Sequence, residues 1–258
     1  MIEFSQAIVR PPGASFSQGL STAGLGPPDL ALASVQHAAY CEALRTCGLA
    51  LTVLDADARF PDAPFVEDTA VLAERVTIVT RPGAPSRLGE TDSIRDCLRG
   101  LRGEIAEIRA PGTVDGGDVC QAGSHFFIGV SARTNVDGAA QFCEIVRAAG
   151  YSASTIDVRG NAKLLHLKSG IAYLGDGRLL AVRDLPRTAE IARFEVVEVD
   201  PRETYAANCV RINARVLVAA GYPRTVDTLV ALGYSPLLLE TTEFRKLDGG
   251  LSCLSLRF

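Results

Sequence analysis

A repeated order of helix, glycine and strand constrains the fold of this chain more than any other feature of its sequence. Residues 29–48 form a helical pattern with Asp29 at its N-cap and Gly48 at its end, and an apolar, strand-like run follows. The same order returns, in full or in weaker form, at residues 101–109, 137–157, 192–200 and 225–240. Repeats spaced 41 to 55 residues apart predict a radial or stacked architecture.

Hairpin-like β segments lie between these copies. The segment 170–182 carries Asp176 and Gly177 where a tight turn needs positive φ, so it is predicted to be a β-hairpin. In the 137–157 copy, Asp137 is the predicted N-cap of the helix. Five units, each a hairpin, a connection and a further strand, predict one α/β domain over residues 1–258 with five blades around a pseudo-fivefold axis.

Composition limits the partners that this chain can take. Its 258 residues are 47% hydrophobic and 22% charged, with a net charge of −4, which is typical of a globular protein with a core. The sequence has no basic stripe of the kind that would indicate a nucleic-acid partner. Its apolar runs are too short to cross a membrane. The first residues lack a basic and apolar leader, so a cytoplasmic protein is expected. The oligomeric state is left open.

Seven cysteines and three histidines are present, and no two cysteines have CxxC spacing. A metal site is therefore not expected, and reduced thiols are the simplest prediction for a cytoplasmic protein. Most of these cysteines are expected to be small buried hydrophobic residues. No cofactor is predicted, and a small molecule is the expected partner.

The loops that follow the five outgoing strands carry most of the chemically active side chains. Around a fivefold axis such loops converge, and binding sites favour loops held on a rigid scaffold. The candidates are Glu67, Asp68, Asp115, Asp118, His166 and Cys253. A thiolate supplies a nucleophile, a histidine moves protons, and a carboxylate orients the histidine. Further carboxylates match the N–H fork of a guanidinium, so attack on a guanidinium carbon is the predicted chemistry.

Several motifs in this order resemble one enzyme family. They are FVEDTAV (65–71), RPGAPSR (81–87), TVDGGDV (113–119), SARTN (131–135), LLHLKSG (164–170) and GGLSCLSLRF (249–258). Together they closely resemble the dimethylarginine dimethylaminohydrolases, which belong to the guanidino-modifying enzymes with the five-bladed α/β propeller, or pentein, fold. The resemblance spans nearly the whole chain, and it implies hydrolysis of Nω-methylated arginine to citrulline and a methylamine without a cofactor.

The resemblance also implies a role for individual residues in catalysis. Cys253 would be the nucleophile, His166 the general acid and base, and Asp115 the carboxylate that orients His166. Many relatives have Glu at the position of Asp115.

The same resemblance implies a set of substrate contacts. Asp68 and Glu67 would bind the guanidinium nitrogens, and Asp62 the α-amino group. Arg87 and Arg133 would bind the α-carboxylate, and Leu20 would close over the substrate in a mobile lid around residues 13–28.

Other interpretations of these residues and of the chain remain open. Taken alone, His166 between two leucines is typical of a core histidine, and Cys253 could be a buried strand residue. Asp118 beside the Gly-Gly turn is predicted to have a conformational role, bonding backbone amides. Another guanidino hydrolase, similar to an arginine deiminase, or an amidinotransferase would use the same scaffold. A non-catalytic binding protein is the alternative from a different class, because fold alone does not decide function.

Overall fold

The strands of this protein form five small sheets of one design. The computed structural model describes residues 3–161 and 163–258, and within them each sheet has three strands. The middle strand pairs antiparallel with one neighbour and parallel with the other. In chain order the strands are Gln6–Val9 (β1), Ala50–Val53 (β2), Ala70–Ala73 (β3), Val76–Val79 (β4), Ala106–Glu107 (β5), Val119–Ala122 (β6), His125–Val130 (β7), Ser152–Asp157 (β8), Ile171–Gly175 (β9), Arg178–Ala181 (β10), Glu195–Glu198 (β11), Val210–Ile212 (β12), Arg215–Ala219 (β13), Ser235–Leu239 (β14) and Leu256–Arg257 (β15). The sheets are β15–β1–β2, β3–β4–β5, β6–β7–β8, β9–β10–β11 and β12–β13–β14.

Helices connect the middle strand of a sheet to its parallel neighbour, as a crossover requires. The α-helices of the described residues are Leu30–Thr46 (α1), Thr91–Arg102 (α2), Val136–Ala148 (α3), Pro223–Ala231 (α4) and Thr242–Arg245 (α5). Helices α1 to α4 occupy these crossovers. The β10–β11 crossover instead contains a 3₁₀ turn at Ile191–Arg193.

Local signals in the sequence are confirmed in two places and corrected in one. The Asp29 side chain caps α1 by accepting the Leu32 N–H at 2.9 Å. Asp176 and Gly177 take φ values of 52° and 76° between β9 and β10, as the predicted hairpin turn requires. The prediction for α3 is wrong, because the cap is Asn135 rather than Asp137. Asn135 lies outside the helix and its side chain accepts the Gly138 N–H, whereas Asp137 already belongs to the first turn.

The contacts between Cα atoms divide the chain into two compact units. One unit is Glu67–Glu198, with three sheets around a core that includes Phe126 and Phe142. The other unit comprises residues 3–66 and 199–258, with two sheets and a core that includes Phe16 and Phe244. The single catalytic domain over residues 1–258 stays a prediction.

No helix among residues 3–161 and 163–258 combines the length and the apolar composition that a membrane span requires.

Candidate functional site

Glu67 and Asp68 lie in a 3₁₀ turn directly before β3, and both carboxylates are buried against cationic partners. Asp68 accepts the Gly117 N–H at 2.9 Å through Oδ1 and the Arg87 Nη1 at 2.6 Å through Oδ2. Glu67 pairs through Oε1 with the Lys168 ammonium at 2.7 Å. Buried charges need such partners, because desolvation without compensation is costly. The two acids predicted to bind a guanidinium are thus held in fixed positions within the Glu67–Glu198 unit.

Arg87 is a buried counter-ion inside this unit. Its side chain is 6% exposed, its Nε and Nη2 donate to Glu90 at 3.0 and 2.8 Å, and its Nη1 donates to Asp68. Burial acts to lower the pKa of Arg87, but Glu90 and Asp68 outweigh burial and hold that pKa well above its ordinary value. The sequence did not reveal this structural role of Arg87, nor the partner Glu90. Binding of a substrate carboxylate by Arg87 stays a prediction.

His166 and Asp115 form the hydrogen-bonded pair that the sequence motifs predict. The Nε2 of His166 lies 3.0 Å from Oδ2 of Asp115, and Oδ1 of Asp115 accepts the Gly83 N–H at 2.8 Å. Burial raises the pKa of Asp115, but the hydrogen bond and charge of His166 outweigh it, and the net shift is downward. Burial alone would lower the pKa of His166. The charges of Asp68 and Asp118 and the bond to Asp115 instead raise it to about 9.

The Asp118 carboxylate is hydrogen-bonded both to the loop that carries His166 and to the loop that carries Ser131 and Thr134. Its Oδ1 accepts the Leu167 N–H at 2.8 Å, next to His166. Its Oδ2 accepts hydrogen bonds from the hydroxyl groups of Ser131 and Thr134, at 2.6 and 2.7 Å. The predicted conformational role of Asp118, bonding a backbone amide, is therefore seen in the structure.

Arg133 lies between Ser131 and Thr134, whose hydroxyl groups both donate to the Asp118 carboxylate, and the Arg133 N–H donates to the Ser131 hydroxyl at 2.9 Å. Its own side chain is partly exposed. No ion pair to Arg133 forms among residues 3–161 and 163–258, so the structure assigns it no internal counter-ion. Binding of a substrate carboxylate by Arg133 stays a prediction.

Gly117 is a site residue whose role the sequence analysis missed. A Cβ placed on it would lie 2.7 Å from Nδ1 of His166 and 2.8 Å from Oδ1 of Asp68, both far inside van der Waals contact. The glycine thus lets its own N–H, Asp68 and His166 approach one another. The Gly-Gly pair in TVDGGDV was the available signal, but a turn explains such a pair equally well.

Leu20 and Asp62 lie in the other compact unit, where they contact each other. The Leu20 N–H donates to the buried Asp62 carboxylate at 3.1 Å. The neighbouring residues Ser21 and Thr22 are hydrogen-bonded to residues 246 and 248. Farther back, Phe16 is fully buried and packs 5.4 Å from Phe244, measured between ring centroids. The predicted lid around residues 13–28 is therefore anchored at several points in this structure, and its mobility stays a prediction.

Cys253 lies in the same unit as Leu20, buried in a 3₁₀ turn at Ser252–Leu254. The Gly250 N–H points at its Sγ, with the nitrogen 3.4 Å from the sulfur. The turn is held from outside by Asn208, which bonds Ser252 at 2.9 Å, and by Tyr205, whose hydroxyl donates to the Gly249 carbonyl at 2.8 Å. Sequence reasoning missed both partners, because they lie more than 40 residues away in the chain.

Asp68, Asp115 and His166 could also offer one ligand atom each to a metal ion, since these atoms lie within 4.8 Å of one another. Each of the three is already hydrogen-bonded inside the protein, to Gly117 and Arg87, to Gly83, or to Asp115. None of these three side chains is a thiolate. Two carboxylates beside an imidazole are typical of a group that transfers protons. The absence of a metal requirement stays a prediction.

The raised pKa of His166 predicts a pH dependence with a definite sign. With a pKa of about 9 in the folded state, His166 is protonated at neutral pH and loses its proton as the pH rises through 9. Its contribution to stability is fully present below its ordinary pKa of 6.5 and is lost between 6.5 and 9. If the protonated form is the general acid, kcat/KM should fall on the alkaline side near pH 9. Asp115→Asn should move that fall to lower pH, and an unchanged profile would contradict the pairing.

Comparisons with known proteins give a consistent set of relatives. No family model matches the sequence. The chain is 46% identical over 256 residues to the N(G),N(G)-dimethylarginine dimethylaminohydrolase of Pseudomonas aeruginosa, covering 99% of this chain and 100% of the relative. It is 35% identical to the enzyme of the same name from Streptomyces coelicolor, covering 98% of this chain and 96% of that one.

A solved structure of the Pseudomonas aeruginosa enzyme, a cysteine-to-serine mutant complexed with citrulline, superposes on this chain with a TM-score of 0.95. It is 45% identical in sequence, and the match covers 100% of both chains. Together with the five three-stranded sheets, this match confirms the predicted fold class, the five-bladed α/β propeller of the penteins.

Proposed function

The chain belongs to the dimethylarginine dimethylaminohydrolase family, and from this premise we propose that it hydrolyses Nω-methylated arginines to citrulline and methylamines. The observation that carries the proposal is the buried group of Asp68, Asp115 and His166, whose polar atoms lie within 4.8 Å of one another. A carboxylate suited to a guanidinium lies there beside an imidazole that is protonated at neutral pH. These are the two functions that cleavage of a guanidinium C–N bond needs besides a nucleophile.

In the first chemical step, the Cys253 thiolate attacks the central guanidinium carbon of the substrate. Asp68 and Glu67 hold the guanidinium nitrogens, and their fixed positions support this role. His166 gives its proton to the methylated nitrogen, the C–N bond breaks, and dimethylamine or methylamine departs. The amine leaves poorly without that proton, so the acid is essential. The product of this step is a cationic thiouronium in which the substrate carbon is bonded to Sγ.

In the second step, water replaces the sulfur. His166 is now neutral and takes a proton from water as the oxygen bonds to the thiouronium carbon. The C–S bond then breaks, its electron pair returns to Cys253 as a thiolate, and the remaining proton on oxygen passes to solvent. Citrulline is released with His166 protonated again. The hydrogen bond to Asp115 keeps the ring in one orientation through both steps, which supports its assignment as the orienting carboxylate.

The rest of the substrate is bound by groups at its amino-acid end. We assign Asp62 to the α-amino group, Arg87 and Arg133 to the α-carboxylate, and Leu20 to a lid over the substrate. The hydrogen bond from the Leu20 N–H to Asp62 supports a link between lid and amino-group binding. The cytoplasmic location and a partner set limited to small molecules belong to the same proposal.

Substrate choice tests this function. Agmatine lacks the carboxylate and so loses the ion pair proposed with the partly exposed Arg133, which costs about 1–3 kcal/mol, or roughly 5- to 150-fold in kcat/KM. Arginine lacks the methyl groups, each worth roughly 1 kcal/mol of apolar contact. We therefore expect dimethylarginine and monomethylarginine to be hydrolysed at least about fivefold better than either compound, measured as kcat/KM for citrulline or ureido product at one pH.

The same assay separates the alternatives. If arginine or agmatine matches dimethylarginine, the chain is a different guanidino hydrolase. If product forms only when an acceptor amine is added, it is an amidinotransferase. If none of the four compounds reacts, the non-catalytic alternative holds.

A further inference from the structure

The turn that carries Cys253 is held by a buried amide from another part of the chain, and we propose that Asn208 is a positioning residue for this nucleophile. Asn208 follows a 3₁₀ turn at Thr204–Ala207 and directly precedes the Cys209–Ile212 segment. It is 9% exposed, so its side chain is committed to the protein interior. The inference rests on the proposed function, in which Cys253 is the attacking group.

Asn208 uses both ends of its amide on one residue. Its Oδ1 accepts the Ser252 backbone N–H at 2.9 Å, and its Nδ2 donates to the Ser252 hydroxyl at 3.1 Å. Ser252 is the residue before Cys253 and is 3% exposed. A bidentate contact of this kind fixes orientation as well as distance, because a rotation of the turn breaks both bonds at once. The same amide end also fits closely over Gly250, where a Cβ would lie 2.5 Å from the amide carbon and oxygen.

The geometry of the turn matters because of where it directs one N–H group. The Gly250 N–H donates to Sγ of Cys253 across 3.4 Å, and the Cys253 N–H returns a bond to the Gly250 carbonyl at 3.2 Å. A hydrogen bond donated to sulfur favours the thiolate over the thiol. If Asn208 is lost, Ser252 loses its restraint, and the alignment of the Gly250 N–H with Sγ loosens. We therefore expect the Cys253 sulfur to react more slowly, while the binding of substrate stays nearly unchanged.

Tyr205 contributes a second restraint on the same turn. Its hydroxyl donates to the Gly249 carbonyl at 2.8 Å and lies 3.1 Å from the Thr241 hydroxyl. It bonds Gly249, the residue before Gly250, whereas Asn208 bonds Ser252, the residue next to the nucleophile. Removal of the Tyr205 hydroxyl should therefore also make the Cys253 sulfur less reactive, but by less than Asn208→Ala does.

The test compares Asn208→Ala with Ser252→Ala and with the wild type in two assays. In the first, kcat should fall at least tenfold in Asn208→Ala while KM stays within threefold. In the second, iodoacetamide alkylation of Cys253 is followed by mass spectrometry across pH, without substrate. In Asn208→Ala, the pH at which the alkylation rate is half-maximal should be at least half a pH unit higher than in the wild type. Ser252→Ala keeps the bond from its N–H to Oδ1 and should lose less than threefold in kcat.

Two further variants keep the proposal falsifiable. Tyr205→Phe opens almost no cavity, and it should shift the alkylation midpoint in the same direction even if Asn208→Ala does not fold. Asn213→Ala is the matched control, because it removes another amide bonded to backbone, that of Phe4 and Cys47, in the same unit. It should lower thermal stability and leave kcat and the alkylation profile unchanged.

The proposal is overturned if folded Asn208→Ala keeps the wild-type kcat and profile, or if Asn213→Ala shifts them equally. Failure of the proposed function would look different, because the wild type would then release no citrulline from dimethylarginine, while the alkylation profile of Cys253 would still report whether Asn208 positions the sulfur.

Discussion

Replacing Cys253 by serine should reduce kcat by about 10³-fold or more while the protein stays folded. A hydroxyl is far less ionised than a thiol at neutral pH, so the attacking anion is almost absent in the variant. The exchange changes one buried atom in a turn held by Asn208 and Tyr205, so the backbone should keep its conformation. Losses of this order follow the removal of a nucleophile in other hydrolases with a covalent intermediate.

The measurement is citrulline formation from dimethylarginine, with circular dichroism and thermal melting as the check on folding. Cys143→Ser is the matched control, because Cys143 is a buried thiol in the core of the Glu67–Glu198 unit. It should lower the melting temperature and leave kcat within about twofold. A Cys253→Ser enzyme with a near-normal rate would exclude Cys253 as the nucleophile.

Gly117→Ala should reduce kcat by about 10²-fold, through crowding rather than through loss of any reactive group. The added methyl would lie 2.7 Å from Nδ1 of His166 and 2.8 Å from Oδ1 of Asp68, so at least one of these side chains must move. Overpacking of this kind costs about 1–3 kcal/mol in stability. A displacement of a catalytic group by about 1 Å costs about 10²-fold in rate. The readouts are kcat and the alkaline limb of the pH profile, which reports on His166.

Gly100→Ala is the control for that substitution. Gly100 is exposed in α2, and a Cβ on it would have no atom within 4 Å. Alanine there should raise stability by about 0.5–1 kcal/mol, because glycine is a poor helix former, and should not change kcat. If Gly117→Ala behaved like Gly100→Ala, the close packing of Gly117, Asp68 and His166 would not matter for catalysis.

The sequence predicts features that repeat or that lie within a few residues of one another. The period of the helix–glycine–strand pattern predicts the outgoing strand of each of the five copies, seen as β2, β5, β8, β11 and β14, since each copy carries its own signal. The Asp176-Gly177 turn needs no distant partner to form. The cap of α3 was misplaced by two residues because Asn135 and Asp137 are both good caps, and only the backbone around Gly138 selects Asn135.

Long-range contacts account for what the sequence did not predict. Glu90 lies only three residues after Arg87, so that pair had a local signal, whereas Lys168 as a partner of Glu67 has no local signature beyond being charged. Asn208 and Ser252 are separated by 44 residues, and nothing in either segment indicates that they meet. The pair of Asp115 and His166 was predicted across 51 residues only because the resemblance supplied it. Side-chain pairing over such distances depends on how the blades pack, which no local pattern encodes.

Mass spectrometry of the enzyme quenched during turnover tests the proposed chemistry at the covalent step. With dimethylarginine, Cys253 should carry an adduct equal to the substrate less dimethylamine. Monomethylarginine should give an adduct of identical mass, because the methylated nitrogen leaves in both cases. The adduct should be absent from Cys253→Ser. An adduct that retains methyl groups, an adduct on another residue, or turnover with none trapped by acid at any time point would contradict attack by Cys253 with departure of the methylated amine.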